Sequence, residues 1–169
     1  MIMTVKSLKI TKPDDWHVHL REGNLLKAVI DYSSRVNQRC IVMPNLSDPI
    51  TTTLKGIDYI KKINLLSNNN FTPLLPCYLT EDLDLIDFSK GLDEKVFIGA
   101  KLYPSEATTN SKYGISNTEK IYPALEILEK KDKILLIHGE KVDSDIDIFD
   151  RENTILTKNC LFIEKNFLN

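Results

Sequence analysis

Short apolar runs alternate with longer stretches of helical spacing along this chain. The runs cover Asp15 to His19, Cys40 to Met43, Thr72 to Tyr78, Val96 to Leu102 and Ile134 to His138. Near-continuous apolar segments of this kind suit a sheet covered on both faces. Between them, apolar residues recur at helical spacing in Leu25–Ser34, Thr53–Leu66, Ile86–Leu92 and Asn117–Lys131, as at Ile121, Leu125 and Leu128. Ser116-Asn117-Thr118-Glu119 has the residues of a capping box, with Ser116 accepting from first-turn amides and Glu119 reaching back. Asp147 to Phe167 reads as a closing helix, and Ser7 to Ile10 as a small strand outside the main sheet. This alternation predicts an α/β fold of five βα units on a parallel sheet. No repeat, low-complexity tract or linker interrupts it, so residues 1–169 read as a single domain.

Composition narrows the class. An apolar fraction of 42%, a charged fraction of 27% and a net charge of −2 are those of a soluble globular protein. They give no reason to expect a nucleic-acid or anionic-membrane surface. No run approaches the roughly 18 apolar residues of a membrane span, and the first residues lack a signal-peptide core, so a cytoplasmic protein is expected. Cys40, Cys77 and Cys160 are odd in number and widely spaced, which reads as reduced packing residues rather than a disulfide framework or a metal knuckle.

The polar residues that could carry chemistry cluster where the predicted strands end, which is where ligand sites of α/β sheets and barrels lie. In Trp16-His17-Val18-His19-Leu20-Arg21, alternation puts His17, His19 and Arg21 on one side of an extended segment. Two neutral imidazoles so placed can share a divalent metal; two solvated histidines on an edge strand are the plainer alternative. The second strand ends in Pro44 and Asn45, the fourth in Lys101 and the fifth in His138, while Tyr78 and Thr80 at the third carry no assigned role. Lys101 follows Val96-Phe97-Ile98-Gly99-Ala100, a run that should be buried. Burial lowers an ammonium pKa from about 10.4 toward neutrality, and a neutral amine can add CO2 to form a carbamate. The alternative is a lysine whose charge snorkels into water, and for His138 a histidine satisfied within the strand end.

Longer motifs then carry a resemblance. Pro13-Asp14-Asp15-Trp16-His17-Val18-His19-Leu20-Arg21, Val42-Met43-Pro44-Asn45-Leu46, Ala100-Lys101-Leu102-Tyr103-Pro104 with Ala107-Thr108-Thr109-Asn110-Ser111, and His138-Gly139-Glu140 with Asp145 to Glu152 closely resemble the bacterial single-function dihydroorotases of the amidohydrolase superfamily. The resemblance implies a TIM-type barrel, present here as about its first five βα units. It also implies a two-zinc centre that interconverts N-carbamoyl-L-aspartate and dihydroorotate in pyrimidine biosynthesis. By position, His17 and His19 would bind one zinc, Lys101 as N6-carboxylysine would bridge both, and His138 would bind the second. His19, Arg21, Asn45, Thr108, Thr109 and His138 would contact substrate, with Arg21 and Asn45 on its carboxylate and the two threonines in a closing loop, Ser105–Gly114.

A full barrel of this type has eight units and typically about 250 residues. The resemblance places a further zinc-binding His, an Asp that moves the proton and another substrate-binding His after later strands. His17, His19 and His138 are the sequence's only histidines, and Asp145, Asp147 and Asp150 read as caps or solvent-facing residues of the fifth segment. No general acid or base is therefore assigned. Five units also leave open sheet edges, which invite a homodimer or completion by another chain. Two other functions fit the motifs: a non-catalytic binding or scaffold protein, and another cyclic-amide hydrolase such as a hydantoinase or allantoinase. Arg21 and Asn45 favour an acidic ring over the neutral rings of the latter.

Overall fold

The computed structural model describes residues 7–67, 70–141, 145–155 and 157. Strands and helices alternate: β1 (Asp14–Val18), α1 (Gly23–Val36), β2 (Arg39–Val42), α2 (Thr53–Leu66), β3 (Thr72–Leu74), β4 (Cys77–Tyr78), α3 (Leu85–Asp93), β5 (Gly99–Leu102), α4 (Tyr122–Lys130), β6 (Ile134–Ile137) and α5 (Arg151–Ile155). The third predicted strand, Thr72 to Tyr78, is divided. β3 pairs with β2, whereas β4 pairs with β5. Proline supplies no ladder N–H, and Pro73 and Pro76 bracket the place where the segment leaves one neighbour for the other. The result is two three-stranded parallel sheets, β1-β2-β3 and β4-β5-β6, rather than one continuous ladder.

The described strands form an open arc and not a closed barrel. Among the described residues β1 pairs only with β2, and β6 only with β5. Burial follows that order: β5 is buried throughout and β2 nearly so, while the outer strands are only partly covered. Leu26, Ile30, Tyr59, Ile63, Phe88, Leu92, Leu125 and Leu128 from the helices join Cys40, Val42, Cys77, Phe97 and Ala100 in one core. Cys40 and Cys77 are free and buried, in line with packing roles; Cys160 lies outside the described residues.

Several local expectations need correction. Ser7 to Ile10 is exposed and forms no strand, pairing with none of the described strands. The predicted helix Asn117–Lys131 begins as a 3-10 turn, Thr118–Ile121, capped by Asn117 instead of Ser116. Glu81 explains the change: its carboxylate accepts the N–H groups of both Ser116 and Asn117 and pairs with Lys120. These contacts hold the carboxyl down at about 2. Of the expected helix Asp147–Phe167, the described part is a short turn capped by Asp147, Ile148–Asp150, followed by α5, and the rest lies outside the described residues.

Glycine is needed where β5 meets β6. A Cβ at Gly99 would lie 2.1 Å from the Ile134 carbonyl oxygen, whereas one at Gly139 would meet nothing within 4 Å. Gly99→Ala should therefore cost about 1–3 kcal/mol or more by forcing these strands apart, and Gly139→Ala should stay within about 0.5 kcal/mol of the parent. Urea denaturation of the two variants checks this; equal stabilities would refute the close packing of β5 on β6.

Candidate functional site

All pairings in the arc are parallel, so the strands deliver their carboxyl ends to a common rim. In β1 the register slips between Asp15 and Val18, where three residues span what β2 covers in two. Such a bulge re-aims side chains, and Asp15 Oδ1 accepts the His17 N–H at 2.9 Å. Regular alternation thus ends within β1, yet the two imidazoles meet: His17 Nε2 and His19 Nε2 are 3.3 Å apart, with ring planes tilted by 54°. Arg21 is aimed differently from the expected alternation, because the strand stops at Val18 and Arg21 turns into the left-handed region at φ 59°. Tyr59 holds that turn by donating its hydroxyl to the Arg21 carbonyl at 2.6 Å.

Lys101 sits in β5 opposite Leu136 of β6 and Tyr78 of β4, at 2% exposure. It does not snorkel. Burial brings its pKa down to about 8, and the nearest aromatic face is Tyr103, whose ring centroid is 5.2 Å from Nζ. Both first-strand histidines are held below the ordinary imidazole pKa. For His17 the causes are burial and then the Lys101 charge; for His19 they are burial, then Arg21 and His17, with Asn45 opposing. Burial therefore favours the neutral forms of His17 and His19 and shifts Lys101 toward the free amine. His138 continues β6, its N–H donating to the Leu102 carbonyl at 2.9 Å, while its Nε2 lies 3.2 Å from Glu140 Oε2.

Asn45 is 1% exposed and connects this rim to the loop at 105–114. Its Nδ2 donates to the Thr109 carbonyl at 2.9 Å, and Asn110 Nδ2 donates back to the Asn45 carbonyl at 3.0 Å. Thr109 shares with Arg21, Leu25, Leu46 and Asn110 a cleft of about 260 Å³. Thr108 is not brought there: it closes a turn with Ser111 and lines a different cleft. Among the described residues Arg21 Nη1 and the Tyr103 hydroxyl are buried without a hydrogen-bond partner, while the Asn45 side chain acts on His19 as a hydrogen-bond partner that favours its protonated form. Buried polar groups in native proteins are nearly always paired, so these two donors are open to water or to a ligand. Tyr78, Tyr103 and Glu140 were not among the expected site residues. All three lie in or beside the strand-end motifs, and that position was the available signal.

No family model matches the sequence. Curated relatives do. The chain is 52% identical over 147 residues to the dihydroorotase of Escherichia fergusonii and 51% identical over the same length to that of Salmonella paratyphi B, in each case across 86% of this chain and 42% of the relative. Among solved structures, dihydroorotase from Campylobacter jejuni superposes with a TM-score of 0.87 at 30% identity, over 99% of this chain and 48% of that one. Dihydroorotase from Saccharomyces cerevisiae, in complex with 5-fluoroorotic acid, gives 0.85 at 30% identity, over 93% and 45%. An L-hydantoinase from Arthrobacter aurescens gives 0.70 at 15% identity over 92% of this chain and 39% of that one, a likeness of fold alone. Spanning less than half the length of the curated relatives it matches, the chain is a homologue of the bacterial dihydroorotases.

Proposed function

We propose that this chain recruits zinc and the acidic ring substrate of a dihydroorotase, the enzyme that interconverts N-carbamoyl-L-aspartate and dihydroorotate. The observation that carries this reading is the 3.3 Å separation of His17 Nε2 and His19 Nε2 beside buried Lys101. Two nitrogens each about 2.0–2.1 Å from one tetrahedral zinc stand roughly 3.3–3.4 Å apart, so the pair fits as found. Neutral imidazoles are the ligating form, and burial already favours it. Lys101, as its carbamate, would complete the first site and reach a second, where His138 would ligate. Glu140 at His138 Nε2 leaves Nδ1 for the metal, the carboxylate–histidine arrangement typical of such ligands. When bound, zinc polarises a carbonyl and brings water to a pKa near 7.

The chain's own side chains would orient the substrate. Arg21 offers a planar fork to the carboxylate, and Thr109 lies on the same cleft. Asn45 Nδ2 would bind that carboxylate by exchanging it for the Thr109 carbonyl, which ties substrate entry to the loop carrying Thr108 and Thr109. The bound 5-fluoroorotic acid of the yeast homologue is a ring acid of the expected kind. Among the described residues no group of three or more His, Cys, Asp or Glu side chains comes together as a metal cluster, and no described carboxylate is assigned to move the proton. The lack of an assigned proton-moving carboxylate favours a second reading, a non-catalytic binding or scaffold protein.

Zinc content and dihydroorotate hydrolysis of the purified chain separate these readings. Stoichiometric zinc is expected, with His17→Ala and His19→Ala each weakening it by more than about tenfold; a chain that takes up no zinc overturns the proposal. Hydrolysis by the chain itself would remove the non-catalytic reading.

Lys101 gives a pH test. Its folded pKa, about 8, lies below the ordinary lysine value of 10.5, so the unfolded chain binds the extra proton between those limits. The penalty for burying the charge is fully present below about pH 8 and vanishes as pH rises to the unfolded value. Lys101→Met should accordingly gain on the order of 3 kcal/mol in metal-free, CO2-free buffer near pH 7, with the gain lost by about pH 10.5. A difference independent of pH in denaturation curves would contradict a charged, buried Lys101.

A further inference from the structure

We propose that Asn110 is a positioning residue for the bound ring acid: it fastens the 105–114 loop beyond the end of β2 and so fixes where Thr109 stands in the cleft shared with Arg21. The inference rests on the reading of that cleft as the place of the substrate carboxylate. Most hydrogen bonds of the loop are internal, such as the Glu106 N–H to the Ser111 carbonyl and the turn between Thr108 and Ser111. Among the described residues, those that reach Asn45 and β4 fall on two neighbouring positions, Thr109 and Asn110. Asn110 lines both clefts, the one with Arg21 and Thr109 and the one with Thr108.

Two properties of asparagine meet at this position. Its backbone takes φ 57°, in the left-handed region that glycine, asparagine and aspartate enter most readily. From that turn Nδ2 donates to the Asn45 carbonyl at 3.0 Å, while the Asn110 carbonyl accepts the Tyr78 hydroxyl at 3.3 Å. The part of Asn45 that accepts is what matters. The Asn45 side chain holds the Thr109 carbonyl and would release it to a substrate carboxylate. Its backbone carbonyl belongs to a turn in which the Leu46 and Ile50 N–H groups donate to the Pro44 carbonyl. Asn110 is therefore tied to an atom that the exchange leaves in place, and Thr109 stays at the cleft when its own carbonyl is freed.

Limited trypsin digestion of the zinc-loaded full chain reads the loop, because the exposed Lys112 and the bond after it lie within it, and calorimetry reads dihydroorotate binding. Asn110→Gly and Asn110→Asp both tolerate the left-handed turn, but neither has the amide donor. Each should be cut after Lys112 roughly two- to tenfold faster than the parent, with other sites cut as before, and should bind dihydroorotate roughly two- to tenfold more weakly. Faster cutting at every site would mean that Asn110 serves the fold as a whole, and cutting at the parent's rate in either variant would mean that the amide holds nothing; both overturn the inference. Faster cutting with unchanged dihydroorotate affinity overturns it too, and if Arg21→Met weakens that affinity the carboxylate clamp still stands. If Arg21→Met binds as the parent does, or the parent binds no dihydroorotate, the clamp falls and the positioning role falls with it.

Discussion

Parallel pairing through β5 is the constraint on which the site depends. β5 lies between β4 and β6 with Gly99, Ala100, Lys101 and Leu102 in register against Ile134 to Ile137. That register is tolerated only because Gly99 carries no Cβ where the Ile134 carbonyl approaches. Once it is set, an ammonium-bearing side chain is carried into a layer that excludes water, and His138 is held one step beyond the strand by the Leu102 carbonyl. Because parallel ladders direct every strand the same way, β1 delivers its two histidines to the same rim.

Burial then sets the protonation states. A lysine in water stays charged, but at 2% exposure Lys101 is shifted toward the amine, the form able to take up CO2. The same desolvation favours the neutral forms of His17 and His19, and the positive neighbours Lys101 and Arg21 add to it. Arg21 Nη1 is buried with no hydrogen-bond partner among the described residues, so an anionic ligand there would accept from a donor that the fold leaves unpaired.

The outer strands show the same physics from the other side. Among the described residues β2 and β5 have neighbours on both edges and are buried, and β1 and β6 have one and are only partly covered, with Ile134 45% exposed; β4 has one neighbour and is buried all the same. At the β1 edge Trp16 is half exposed and covered by the Arg39 guanidinium, which also pairs with Asp14. Charged side chains at an edge discourage indiscriminate strand pairing.

Hydropathic alternation along the sequence determined the order of the βα units, the helix positions to within a few residues, and the strand ends at which His17, His19, Asn45, Lys101 and His138 stand. Those features are local, because side-chain period and caps depend on near neighbours in the chain. Tertiary structure decided the division of the third strand at Pro76, the replacement of Ser116 by Asn117 as a cap under the influence of Glu81, and the slip in β1 that brings two imidazoles to one point. It also separated Thr108 from Thr109 and placed Tyr78 and Tyr103 against Lys101. Each of these depends on a partner distant in sequence, whose register, charge or carbonyl exists at that spot only after the sheets have formed.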